Sequence, residues 1–450
     1  MKVHISSANR FWRRTLLLSV FSVLSVVSVL SAQDSTAREG VRVVLRYEPG
    51  TRPGLVMVPG AGLDSVRSIL RRDLDFSDRF ETIVVPDAGG TTATGPGAPA
   101  GINYELYRKF GASYAVEVIG SGGQTTVRLY DLAGNRLVNQ LTASLGGGTD
   151  GPSRMAVHGV ADEIVKWVTS TPGVAATRLA FVSGGRIYLT DLDGFDLRPV
   201  TPAGPTSLSP SWAPDGRRLA YTRMQDGKGA VVIQDLVSGA STNAPGTNAA
   251  LNITPAWSPD GTRLAYANTS EQGTNLFVAN VADNCCAQRL TTGRFADNLS
   301  PTFAPDGRRL AFVSTRAGPP QIYAMNADGT NAELLVPFDF GLTGASNAPE
   351  WSSDGTQIAF HREVSGSPQI FVMDVPSGRV RQLTSSGRNE DPTWAPDGRH
   401  LAFISDRTGR RQVWIIDLET SRVRQLVSPG SARLPAWSRA LRGATPSTTP

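Results

Sequence analysis

One phrase recurs through the second half of this chain and constrains its fold more than any other feature. Pro210-Ser-Trp-Ala-Pro-Asp-Gly-Arg-Arg-Leu-Ala-Tyr221 returns as Pro255-Ala-Trp-Ser-Pro-Asp-Gly-Thr-Arg-Leu-Ala-Tyr266, and again over residues 301–312, 349–360 and 392–403. Its aspartates, Asp215, Asp260, Asp306, Asp354 and Asp397, are 45, 46, 48 and 43 residues apart. Within a unit, Trp212 closes one strand and Pro214-Asp-Gly makes a tight turn. Proline presets φ there, aspartate bonds nearby amides and glycine takes positive φ. Leu219-Ala-Tyr then opens a second strand, residues 230–236 alternate as a third, and a polar turn leads to an outer one. Four short strands cannot bury both faces of their own sheet, so the units must stack, and this period predicts the blades of a β-propeller.

The ends of the repeat set the number of blades. Three strands, at residues 178–183, 186–192 and 197–201, precede the first full unit without a Pro-x-Trp, and Pro435-Ala-Trp-Ser438 follows the last unit alone. Joined, they complete one blade, so five full units and one composite predict six blades over residues 177–439, followed by a loose tail at 440–450.

The first 32 residues belong to neither the repeat nor a core. Lys2, Arg10, Arg13 and Arg14 precede an apolar run at 15–30 that closes on Ser31 and Ala32, the order of a secretory signal. The run is short for a membrane span, which makes an uncleaved anchor the weaker alternative. No cysteine follows it, and the surroundings of Arg13-Arg14 fit a twin-arginine signal poorly, so ordinary export to the periplasm as a soluble monomer is expected. Forty-four basic against thirty-nine acidic residues give a formal charge of +5. The leader carries four of the basic residues and no acid, which leaves the mature chain near neutral and without the basic stripe of a nucleic-acid binder. The two cysteines, Cys285 and Cys286, are adjacent. Neighbouring Cα atoms lie about 3.8 Å apart, below the usual disulfide range, so the pair reads as two small side chains at a strand end.

Residues 33–172 have a different grammar. Strands are expected at 41–47, 55–58 and 82–85, helices at 64–74 and 103–110, three strands at 114–119, 126–131 and 136–144, and an amphipathic helix at 153–169, with a Gly/Thr/Pro/Ala-rich loop at 89–101. The fold class is therefore an α/β N-terminal domain followed by an all-β six-bladed propeller. Val41-Arg-Val-Val-Leu45, Val58-Pro-Gly60, Asp73-Leu-Asp-Phe-Ser-Asp-Arg-Phe80, Phe110-Gly-Ala112, His158-Gly-Val-Ala-Asp-Glu-Ile164 and Thr177-Arg-Leu-Ala-Phe-Val182 occur in that order. This succession resembles the TolB family of the Tol–Pal system. The resemblance implies a scaffold supporting outer-membrane integrity and constriction at cell division. It also implies that the lipoprotein Pal binds at the propeller mouth and that TolA binds the mature N-terminus, here Val41, Arg42, Val43, Val44 and Leu45. Two departures stand out: Arg46 and Tyr47 replace the family's usual acidic and small residues, and residues 33–40 form an additional polar lead.

Chemistry is harder to find. A propeller can serve a peptidase or hydrolase, but that needs a Gly-x-Ser-x-Gly elbow between a strand and a helix, and the nearest approach is Gly344-Ala-Ser-Asn-Ala348, in a loop between blades. His158 reads as a packing or capping residue, His400 as a variable turn position, and no His/Cys spacing suits zinc. The repeated aspartates stand one blade apart and cannot share a calcium ion. No catalytic residue, metal or cofactor is expected. Recognition is expected on the loops before each Pro-x-Trp, which carry Leu251, Asn252, Arg294, Asn298, Asn347, Asn389, Glu390 and Arg433. Bulky changes at Asn298 and Asn389 should then leave the core untouched.

Overall fold

The computed structural model describes residues 50–85, 102–148, 150–246, 251–271, 273–283, 286–293, 296–338, 344–426 and 428–441. The leader, the segment Val41 to Leu45 with Arg46 and Tyr47, the loop at 89–101, Arg294, Cys285 and residues 442–450 lie outside the described residues.

The α/β region contains β1 (Gly54–Met57), α1 (Asp64–Phe76), β2 (Glu81–Ile83), α2 (Tyr104–Lys109), β3 (Ala112–Ser121), β4 (Gln124–Asp131), β5 (Arg136–Ala143) and α3 (Gly151–Thr169). Its sheet runs β2-β1-β3-β4-β5, with β1 parallel to both neighbours and the last three strands an antiparallel meander. Alternation along the strands gives the sheet two apolar faces. Leu55, Val116 and Leu129 pack under Leu70 and Leu74 of α1 and Val160 and Ile164 of α3, while Val56, Ala115 and Tyr130 pack under Tyr104 and Tyr107 of α2. Each fully buried aliphatic side chain contributes about 1.5–3 kcal/mol over leaving it in water. Helix starts follow the sequence: Asn103 accepts from the Leu106 amide, and Asp150 accepts from the Ser153 amide ahead of Pro152. Among the described residues no helix is long and apolar enough to cross a membrane.

The remainder forms six four-stranded antiparallel sheets. Blade 1 is composite: Ala432–Trp437 pairs with Arg178–Ser183, with Trp437 opposite Leu179, so the last strand is the innermost strand of the first blade. Blades 2 to 6 begin with inner strands Thr206–Trp212, Leu251–Trp257, Asn298–Phe303, Ser346–Trp351 and Asn389–Trp394. In every one the register shifts across the Pro of Pro-x-Trp, or of Pro-x-Phe in blade 4, and the residue ahead of it. The residue ahead of that proline has left-handed φ throughout: Ser209 (51°), Thr254 (51°), Ser300 (48°), Ala348 (50°), Asp391 (54°) and Leu434 (48°). A proline supplies no N–H to the ladder, and a bulge absorbs the missing bond.

The repeated aspartates are turn residues. Asp215 accepts from the amides of Arg217 and Arg218, and Asp397 from those of Arg399 and His400. At Gly355 φ is +75°, and a Cβ would stand 3.0 Å from Pro305 of the preceding blade, so the turn glycine also lets neighbouring turns nest. The reading of the cysteines needs correction. Cys286 is disulfide-bonded, and the one other cysteine in the chain is its neighbour, Cys285. Cys286 takes φ 69°, a left-handed turn rather than the strand-end geometry on which the expectation rested.

Candidate functional site

The inner strands enclose a cavity of about 650 Å³ on the propeller axis, walled by the Pro-x-Trp segments and reaching the prolines of the Pro-Asp-Gly turns and Arg439. The middle residue of each segment gives Ser211, Ala256, Thr302, Glu350, Thr393 and Ala436, so one carboxylate stands in an otherwise small and neutral wall. Glu350 Oε1 accepts from Thr393 Oγ1 and from the Trp394 amide, both at 3.1 Å, across to the next blade. Burial raises its pKa to about 7 against those two hydrogen bonds.

Towards the starts of the inner strands, the bulge residues tie blade to blade. The Thr254 amide donates to Thr222 Oγ1 (3.2 Å), the Ser300 amide to Thr254 Oγ1 (3.2 Å) and the Asp391 amide to His361 Nδ1 (3.1 Å). Burial raises the Asp391 pKa and lowers that of His361.

The residues expected to face a partner occupy the first two positions of these strands, and the register divides them. Asn252, Asn298 and Asn389 are buried, which corrects their reading as loop side chains. Asn389 donates to Gln369 Oε1 (2.8 Å) and Ser386 O (3.0 Å) and accepts from Arg407 (3.0 Å). Asn298 accepts from Ser314 Oγ (2.9 Å) and Arg316 (3.2 Å) and donates to Thr274 O (3.2 Å). One residue further on, side chains point the other way. Asn347 and Glu390 are half-buried and Arg433 exposed there, and Leu208, Ile253 and Leu299 hold the equivalent places in the other blades. This makes a ring of six at the strand starts, apolar over blades 2 to 4 and polar over blades 5, 6 and 1. Glu390 is held by Arg388 (3.1 Å) and Arg411 (3.3 Å). Leu251, half-buried, precedes this ring.

Ser346, the residue nearest to a nucleophile elbow, is fully buried in an inner strand, where its hydroxyl accepts from Arg362 Nε at 3.0 Å. The strand-turn-helix context of a nucleophile elbow is missing there. His158, expected as a packing or capping residue, and His400, a turn position, are both buried between the α/β region and the propeller, each against carboxylates from both sides. Their spacing in sequence carries no signal, because the partners come from residues up to 322 positions away.

The TolB beta propeller domain model matches residues 165–441, more than half of the chain. The Tol-Pal system protein TolB of Methylococcus capsulatus is 32% identical over 206 residues, 42% of this chain and 47% of its own. That of Chromobacterium violaceum is 31% identical over 252 residues, 52% of this chain and 56% of its own. The chain thus spans about half the length of the curated relatives it matches. The crystal structure of TolB from Acinetobacter baumannii superposes with a TM-score of 0.74 at 23% identity, covering 87% of this chain and 98% of that one, a likeness of fold.

Proposed function

Since the chain belongs to the TolB β-propeller domain family, we propose that it is a periplasmic scaffold of the Tol–Pal system, binding proteins rather than catalysing a reaction. The observation that carries this reading is the ring of side chains at the strand starts. A rigid frame holds six side chains at one end of the channel, and the α/β region contacts the other end, through Arg399 and His400 beside a Pro-Asp-Gly turn. The rim is thereby left to a partner, and its apolar half and charged half give such a partner both buried area and orientation. Pal is the partner the family implies there, while TolA belongs to the segment Val41 to Leu45. That segment alternates enough to add to the edge of a sheet. Outer-membrane integrity and constriction at division are the processes this scaffold serves.

Titration calorimetry with both partners tests the reading. Leu299→Arg combined with Arg433→Glu should weaken Pal binding at least about tenfold. The melting temperature should shift by no more than about 2 °C, because neither residue is fully buried. Undiminished affinity would place Pal on another face. Deletion of residues 33–45 should abolish TolA binding and leave Pal binding intact; retained TolA binding would reduce the segment to a linker.

A further inference from the structure

The two buried histidines face carboxylates in mirror-image fashion, although only His400 is hydrogen-bonded through both ring nitrogens and His158 Nε2 has no hydrogen bond. His158, on α3, puts Nδ1 2.5 Å from Asp73 Oδ2 of its own α/β region and Nε2 3.5 Å from Asp193 Oδ2 of the propeller. His400, in blade 6, puts Nδ1 2.7 Å from Asp397 Oδ2 of its own turn and Nε2 3.3 Å from Asp78 Oδ2 of the α/β region. Each ring therefore takes one carboxylate from its own side and one from the other. Both rings are 1% exposed, so water cannot stand in for either partner. A neutral imidazole carries one proton. With that proton on Nδ1, the bare Nε2 lone pair would face a carboxylate across the boundary, which is repulsive; a second proton, on the ring or shared with its own-side carboxylate, suits both contacts, and at His158 burial raises the Asp73 pKa as well.

The surrounding charges favour a proton. Asp193 Oδ2 already takes Arg72 of α1 and Arg154 of α3, and Asp191 Oδ1 takes Arg178. The nearest atoms of His158, Asp191 and Asp193 lie within 4.8 Å of one another, and Asp191 Oδ2 and His158 Nε2 have no hydrogen-bond partner there; with three guanidiniums already on the two carboxylates, a single proton supplies the missing charge where a divalent ion would add two. Asp162 also lies on α3, and burial lifts its pKa to about 7. Around His400, Asp78 Oδ1 takes Arg422, Asp417 takes Arg399, and Glu419 takes Arg399 and Arg79. Asp75 pairs with Arg52 and Arg422, and Arg424 lies over Phe76.

We propose that the α/β region is latched to the propeller by two protons, one on each of these reciprocal imidazoliums, and that their loss releases the two bodies from each other without unfolding either. Burial opposes protonation of His400, but Asp397 and Asp78 overcome it and raise its pKa to about 9. His158 is raised in the same direction, burial again opposing and Asp73 prevailing. A histidine raised on folding stabilises fully below its ordinary pKa of about 6.5 and loses that contribution as pH climbs through the folded value. The latch is therefore closed at neutral pH, and its His400 half opens as pH climbs through about 9.

Paired spin labels at Lys109→Cys and Val237→Cys, both exposed, report the distance between the two bodies in the full mature chain. The distance distribution should be narrow at pH 7, broaden at least about twofold by pH 10 and narrow again on return. Hydrogen exchange in the inner propeller strands, corrected for its intrinsic pH dependence, should stay unchanged. Asp78→Asn should move the midpoint down by about one pH unit, since it removes one facing charge and keeps the shape. His158→Gln with His400→Gln should be broad at every pH; if that double variant does not fold, Asp78→Asn carries the test. A width constant to pH 10, strands that lose protection together with the latch, or an unmoved midpoint in Asp78→Asn would overturn the proposal. So would broadening by EDTA at pH 7, which would make a metal the latch.

Discussion

Asn389 shows how little a residue's chemistry says about its role until its neighbours are known. As a polar residue before a Pro-x-Trp it looks like a binding-loop side chain, yet it is fully buried and bonds Gln369, Ser386 and Arg407. Asn389→Leu should therefore cost about 2–3 kcal/mol, since it takes one donor from the buried Gln369 amide and one acceptor from the Arg407 guanidinium and puts an apolar side chain in a polar site. The melting temperature should fall by about 5 °C or more in a circular dichroism melt. A shift below about 1 °C would return the residue to the surface role. Glu350 makes the converse point. Nothing in Pro349-Glu-Trp351 marks it out beyond its charge, but ring closure places it on the channel wall with a carboxyl that titrates near neutrality.

At the scale of elements, the closing strand carries the most consequence per residue. Trp437 Nε1 donates to Thr177 Oγ1 at 2.8 Å, its amide donates to Thr393 Oγ1 at 3.1 Å, and Ser438 Oγ accepts from the Arg178 amide at 2.9 Å. One strand thus seals blade 1 and touches blade 6. Truncation before Ala432 removes all of this and leaves Arg178–Ser183 as a bare edge beside an open ring. The truncated protein should lose its cooperative thermal transition or melt at least about 10 °C lower, whereas Trp437→Ala alone should cost about 3–5 kcal/mol. A truncated chain melting within a few degrees of the intact one would show that blade 1 does not need its inner strand. The second strands also carry a device that the repeat half-announces. Ser314-Thr-Arg316 and Ser405-Asp-Arg407 place an arginine over an aromatic pair, Phe312 with Tyr323 and Phe403 with Trp414, while bonding the inner-strand asparagine. The Ser-x-Arg spacing was there to be read, but only the sheet register joins it to Asn298 and Asn389.

For the whole molecule, charge pairs join the two bodies alongside a small apolar contact of Met155 with Ala176 and Leu441. Arg399 bonds the Asp78 carbonyl, Arg422 the Asp78 carboxylate, and Arg72 and Arg154 the carboxylate of Asp193. Paired charges of this kind carry geometric direction, and losing one partner leaves its mate buried and unmatched. Such a junction holds one orientation while its charges are complete and gives it up when one is removed.

Repetition let the chain by itself determine its propeller, the six blades and their closure by the last strand. A period near 45 residues states the unit, and the missing Pro-x-Trp at one end matches the extra one at the other. The α/β elements were legible for the same local reasons, apolar periodicity and capping residues, with ends within about two residues of those observed over most elements. Tertiary structure alone decided which polar residues are buried, because burial alternates along a strand and a bulge can invert it. Asn298 and Leu299 are adjacent and face opposite ways. It also decided the charge junction. His158 and Asp193, or His400 and Asp78, meet only when two separately folded bodies come together, and no spacing within either body encodes that contact.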